Sequence, residues 1–243
     1  FSTSEGPLGN ISIRERNLMG RGQDLRLDFS LSGLKSQLAL SFTEPYFLDK
    51  NVSAGFDVYR TVTDRQESSF DEERIGGGLR MGYDVSEFLR HNVKYSLTRS
   101  DITNVPVDAS PAILEEEGVT IQSIVGHDLL YDKRDSRFNT SEGHYVRLRQ
   151  DAAGLGGDVR YLSTRLGAGY YQSIADEWVA SVTGELGYLN GIGDDVRIND
   201  SFFIGGTTFR GFASGGIGPR DVVTDDALGG KQYAIGSVEL GFP

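Results

Sequence analysis

Apolar and polar residues alternate along most of this chain. Across 25–32 the odd positions are apolar (Leu25, Leu27, Phe29, Leu31) and the even ones polar (Arg26, Asp28, Ser30, Ser32). Leu38, Leu40 and Phe42 continue the pattern, as do Val52, Ala54, Phe56 and Val58, then Ile75, Leu79, Met81 and Tyr83. Val93, Tyr95 and Leu97 follow, then Val119, Ile121 and Val125, and finally Trp178, Ala180, Val182, Leu186 and Tyr188. A period of two sustained over about 8–14 residues and bounded by Gly, Asn, Asp or Ser is the mark of a strand with one greasy and one polar face. Eleven strands are predicted, at 8–18, 23–33, 35–44, 51–62, 73–83, 88–100, 118–131, 143–152, 158–173, 177–190 and 231–242, with residues 1–5 as the stump of another. Only 112–117 suggests a turn of helix, inside a loop.

The connections fall into two sets. Those at 19–22, 45–50, 84–87, 132–142 and 174–176 are short to moderate. Those at 63–72, 101–117 and 191–230 are long, and two short ones at 33–34 and 154–157 share their side. Consecutive hairpins of this kind describe an up-and-down antiparallel sheet. The strands are about twice the usual 5–6 residues of a soluble sandwich, and of the 9–11-residue length that crosses a bilayer at a tilt. The polar face, with Arg26, Asp28, Asp57, Arg80, Lys94, Arg147 and Arg149, suits a wet interior. The expected fold is therefore all-β, a transmembrane up-and-down antiparallel β-barrel. Its greasy face meets lipid, because only a closed sheet satisfies its backbone groups there.

Composition narrows the function. The 243 residues include 32 Gly, 6 Pro and no Cys, with a formal charge of −11. A net-acidic chain without a basic block argues against nucleic acid as a partner. The missing Cys excludes a disulfide framework, a thiolate metal site and a Cys nucleophile. No apolar run of 18 residues offers a spanning helix. His91, His127 and His144 are scattered without metal-ligand spacing, and no Gly-x-Ser-x-Gly elbow occurs. Asp194, Asp195, Asp221, Asp225 and Asp226 share one loop region and read as solvated carboxylates ahead of a cation site. No cofactor, metal or enzymatic activity is expected.

Three segments resemble a known family. They are FIGGTTFRGFASGGIGPRD at 203–221, HDLLYDKRDSRFNTSEGHYVR at 127–147 and GGKQYAIGSVELGFP at 229–243. With NLMGRGQ at 17–23 and EPYF at 44–47, they are similar to the barrel of the BamA-type outer-membrane protein assembly factors, the bacterial surface antigen family. The resemblance covers nearly the whole chain. It places the loop at about 191–230 as the family's sixth extracellular loop, with its core at Arg210, Gly211 and Phe212 and supporting positions at Gly205, Gly206, Gly218 and Pro219. Phe209 stands where Val or Ile is usual, and Asn139 where Pro is common.

The resemblance implies a sixteen-stranded barrel, of which about 11–12 strands lie in 1–243, with the last four strands and the preceding periplasmic POTRA domains outside it. It implies a location in the outer membrane of Gram-negative bacteria. The implied partners are unfolded outer-membrane protein clients, accessory assembly lipoproteins and the bilayer. The resemblance also implies a barrel that opens between its first and last strands and pairs the exposed edge with an incoming client strand. Alternatives in the same reading are a polypeptide-translocating relative, as in autotransporter assembly or two-partner secretion, and a passive porin. In the long loop, the guanidinium of Arg210 needs a fixed acceptor. Glu239, on the polar side of the last strand, is the expected lumen partner, with Gly211 permitting a close turn and Phe212 anchoring the loop to the wall. Asp132, Arg134, Asp135 and Gly143 read as a structured periplasmic turn.

Overall fold

In the computed structural model the described residues are 9–33, 35–65, 70–193, 195–206, 208–213 and 215–242. The expected stump at 1–5, Leu34 of one turn, and Asp194 lie outside them. Eleven strands form one antiparallel sheet in sequence order: β1 (Gly9–Leu18), β2 (Gln23–Leu31), β3 (Lys35–Glu44), β4 (Val52–Arg65), β5 (Phe70–Ser86), β6 (Leu89–Thr103), β7 (Gly118–Asp132), β8 (Gly143–Gly157), β9 (Tyr161–Ala175), β10 (Trp178–Gly191) and β11 (Gln232–Gly241). Every expected strand is present. A one-turn helix α1 (Pro111–Leu114) occupies the expected stretch, and 3-10 turns sit at Phe47–Asp49 and Ile198–Asp200. The sheet is not closed: among the described residues β1 pairs only with β2, and β11 only with β10.

Two expected connections are corrected. The 63–72 loop is largely strand, because β4 and β5 continue pairing out to Arg65 and Phe70. The expected 154–157 loop is also strand. Gly154, Gly156 and Gly157 all take positive φ, which lets β8 curl past a register shift on β7 and bring Gly157 opposite Gln122.

Register assigns the faces. Arg80 pairs opposite Lys94, Lys94 opposite Gly126, and Gly126 opposite Asp151. These positions define the concave, polar side. Leu79, Met81, Leu97, Val119, Val146, Leu166, Val182 and Leu186 stand on the other side and are exposed, Leu79 by 63%. The chain exposes 15323 Å², against about 10,700 Å² for a soluble monomer of its mass. Its greasy side chains point outward; they are not gathered into a central core.

The buried apolar residues cluster instead at the long-loop end. One group comprises Ala153, Val159, Tyr161, Leu189 and Phe202, the other Ile102 and Ile113. At the opposite, short-turn end aromatic rings form a fringe, with Trp178 on Phe242 at 5.7 Å and the Lys133 ammonium over the rings of Phe88 and Tyr131. A belt of rings with cationic neighbours suits a membrane–water boundary. One polar row crosses the greasy face and satisfies itself laterally. The Tyr83 hydroxyl meets His91 Nδ1 at 2.8 Å, His127 Nε2 meets Gln150 Oε1 at 3.1 Å, and Gln150 donates to Thr164 at 3.1 Å.

Candidate functional site

The lumen-facing wall is an ion-pair ladder. Arg14 donates to Asp24 through Nε and Nη2, and Arg26 meets Asp28 at 2.7 Å. Arg80 joins Asp57 while donating to Phe42 O and Thr43 Oγ1 at 3.0 and 2.6 Å. Lys94 reaches Asp151 at 2.8 Å, and Arg147 is bound to Asp128. Two glycines make room on this side: the Tyr145 ring lies over Gly169, and the Tyr233 ring over Gly187. A Cβ at either position would enter the ring.

The turn between β7 and β8 is as structured as expected. The Asp132 carboxylate, nearly buried, accepts Arg134 Nε and Nη2 at 2.9 and 3.0 Å and Arg137 Nε at 3.1 Å. Asp135 accepts the Ser141 hydroxyl and the amides of Ser141 and Glu142. These donors hold its carboxyl at about 2, since hydrogen bonds to the charged form favour ionisation. Gly143 has φ +107, and a Cβ there would collide with the Lys133 carbonyl, so only glycine fits.

The long loop between β10 and β11 holds Gly205, Gly206, Gly211 and Gly218, all at positive φ. Gly206 N donates to Phe212 O at 2.9 Å and Ile217 N to Ile204 O at 3.1 Å, closing the loop's distal half. Pro219 O accepts Leu228 N at 3.0 Å. Arg210 does not meet Glu239. It is exposed and has no carboxylate partner among the described residues, while Glu239 accepts the Ser237 hydroxyl at 3.1 Å. The physical reason is solvation: at the loop tip a guanidinium keeps its water, and moving it to the wall would cost desolvation and side-chain entropy. Glu239 does lie on the lumen side, opposite Ser181. Phe212 is also corrected. It packs on Phe209 at 5.5 Å and stays half exposed.

The anchor is Phe202, 7% exposed, which is T-stacked on Tyr233 at 4.8 Å. Phe202 N and O both bond to Gly230, at 2.9 and 2.8 Å. A second attachment joins the long loop to the α1 loop. The Arg197 guanidinium meets the nearly buried Glu116 at 2.7 Å, and Glu116 also accepts Ile198 N at 2.9 Å. Gln122 donates to Asp200 at 2.8 Å, and Asp226 accepts Ser110 N at 3.1 Å. Burial pushes the carboxyls of Glu116 and Asp200 upward, opposed chiefly by Arg197 for Glu116 and by the Gln122 bond for Asp200. Arg197, Glu116 and Asp200 escaped sequence reading because an ordinary loop charge and a buried one look alike in one dimension, and Phe202 because a lone aromatic in a loop carries no periodic pattern. The remaining loop carboxylates make local bonds: Asp195 to Lys231 at 2.9 Å, Asp221 to the amides of Val223 and Thr224, and Asp225 to Arg220 at 3.3 Å.

At the other side of the sheet, β1 is exposed along nearly its full length, and its outer edge is unpaired among the described residues.

Comparison with known proteins places these features in company. Residues 17–243 match the Omp85 superfamily domain. The outer membrane protein assembly factor BamA of Neorickettsia risticii is 32% identical over 246 residues, covering 100% of this chain and 33% of that protein. BamA of Nitratidesulfovibrio vulgaris is 30% identical, covering 94% and 29%. The human sorting and assembly machinery component 50 homolog is 27% identical, covering 96% and 50%. The crystal structure of BamA from Haemophilus ducreyi lacking POTRA domains 1-3 superposes with a TM-score of 0.84 at 22% identity, over 97% of this chain and 50% of that one. The chain thus spans from about a third to half the length of these relatives.

Proposed function

The chain belongs to the Omp85 superfamily, and from that premise we propose that it is barrel wall of a BamA-type factor that folds and inserts β-barrel proteins into the bacterial outer membrane. The observation that carries this reading is one continuous antiparallel sheet that turns its greasy face outward around an ion-paired polar wall; in this reading a client pairs with the edge of the barrel's first strand. A client strand added there gains backbone hydrogen bonds without needing a particular side-chain sequence. Burial of the client's own greasy face then supplies the driving free energy, so the reading involves no catalytic residue and no nucleotide. The two bacterial relatives named for this activity support it. The long loop is the sixth extracellular loop in this reading, and the 132–142 turn is periplasmic. Four further strands and the POTRA domains complete the protein, and accessory lipoproteins assist it.

Reconstitution tests the proposal. The complete protein in liposomes is expected to accelerate folding of an unrelated barrel client. Leakage of small solutes without faster client folding would identify a passive channel. Threading of a secreted polypeptide without barrel insertion would identify a translocating relative.

A further inference from the structure

On the lumen wall, Arg134, Arg147, Arg149 and Arg165 face one cavity of about 350 Å³. Their carboxylates run short. Arg134 is occupied by Asp132, and Arg147 takes both oxygens of Asp128 at 2.9 Å. Arg149 reaches only that same Asp128, at 3.5 Å, too far for a full hydrogen bond. Arg165 has no ion-pair partner among the described residues, and its Nε is shielded from solvent without an acceptor. Glu185, which also lines the cavity, already accepts the Tyr233 hydroxyl.

Arg149 and Arg165 are direct cross-strand partners on β8 and β9. Like charges so placed, with Cβ atoms about 5 Å apart, destabilise a sheet. Beside them, Gly167 opposes Arg147, and the nearest atom to a Cβ added there is the Glu185 carboxylate, Oε2 at 3.8 Å, so the space in front of the guanidinia is open apart from that one acid. Among the described residues Glu185 is the one carboxylate that lines this cavity against four guanidinia, so the two adjacent underpaired arginines leave room for a further negative partner.

We propose that this pocket is an oxyanion site, taking a phosphate or carboxylate group between Arg149 and Arg165 with Arg147 on its flank. The planar guanidinium fork matches both groups in two-point geometry. The flat face of Arg165 lies 5.1 Å from the Phe202 ring, so an anion bound at its N–H edge preserves the cation–π stack and steadies the anchor of the long loop. The site stands on wall geometry alone and is independent of the assembly activity.

Equilibrium dialysis of the full-length protein in detergent micelles against labelled inorganic phosphate, at constant ionic strength, is the test. One saturable class of site is expected that weakens at least tenfold in Arg149→Gln and in Arg165→Gln, while Arg90→Gln, at an exposed turn-end pair, leaves it unchanged. Arg165→Lys keeps the charge and is expected to retain part of the binding, which separates charge loss from misfolding. Competition by a glutamate-rich peptide would name a polypeptide carboxylate as the natural occupant; phosphate binding without competition would name a free phosphate-class ion. No saturable binding to the wild-type protein, or an equal loss in Arg90→Gln, overturns the proposal.

Discussion

At the scale of single residues, glycine and charge decide most of what happens. Gly169 is a socket for Tyr145. Gly169→Leu is expected to cost about 1–3 kcal/mol by overpacking, read as a lower midpoint in denaturant-induced unfolding, and Tyr145→Ala in the same chain is expected to restore part of it. Asp135 carries a pH dependence. Its folded carboxyl titrates near 2, below the ordinary value of about 3.9. Its contribution is therefore complete above about pH 4 and is lost as pH falls toward 2. Pepsin cleavage at the fully exposed Phe138 is expected to rise over that window relative to Asp135→Asn, which lacks the charge throughout; parallel rates would contradict this. The turn was legible in the sequence because Asp and Gly have few local alternatives. The Arg210–Glu239 pair was not, since whether a loop cation leaves water depends on where the loop tip stands.

Elements were the most legible level. Period two located all eleven strands, because a half-buried strand writes its two faces into the sequence. One error sits where glycine removes the signal: Gly154, Gly156 and Gly157 read as a turn yet continue β8; the other sits at 63–72, where polar residues read as loop although β4 and β5 pair out to Arg65 and Phe70. What the pattern leaves unseen is docking between loops. The long loop is fixed to the α1 loop through Arg197 and Glu116, and to the wall through Phe202. Arg197→Ala strands a buried carboxylate and is expected to cost about 3 kcal/mol of loop docking. Protease cleavage within 195–230 is expected to increase many-fold, and Glu116→Gln in the same chain is expected to return part of the protection. Unchanged cleavage in Arg197→Ala would show that Phe202 alone holds the loop.

For the whole molecule, the governing fact is that greasy side chains face outward around a polar, ion-paired wall. The sequence pattern could separate the two faces but not say which was outside; strand length and a polar face suited to a wet interior favoured lipid, and the greasy side chains of the other face stand exposed. An Arg placed at Val182, on the outer face, is expected to cost about 2–4 kcal/mol at the bilayer midplane, whereas the same change at lumen-facing Thr183 is expected to cost far less. Equal costs in lipid-based unfolding titrations would contradict the facing.

The most direct measurement uses β5 itself. Single cysteines at Leu79→Cys and Arg80→Cys, in an otherwise Cys-free full-length protein, carry spin labels in a reconstituted bilayer. Collision with lipid-dissolved oxygen is expected to dominate at 79, and collision with a water-soluble nickel complex at 80, alternating along the strand. Water access at 79, or the same exposure at both positions, would contradict the barrel account.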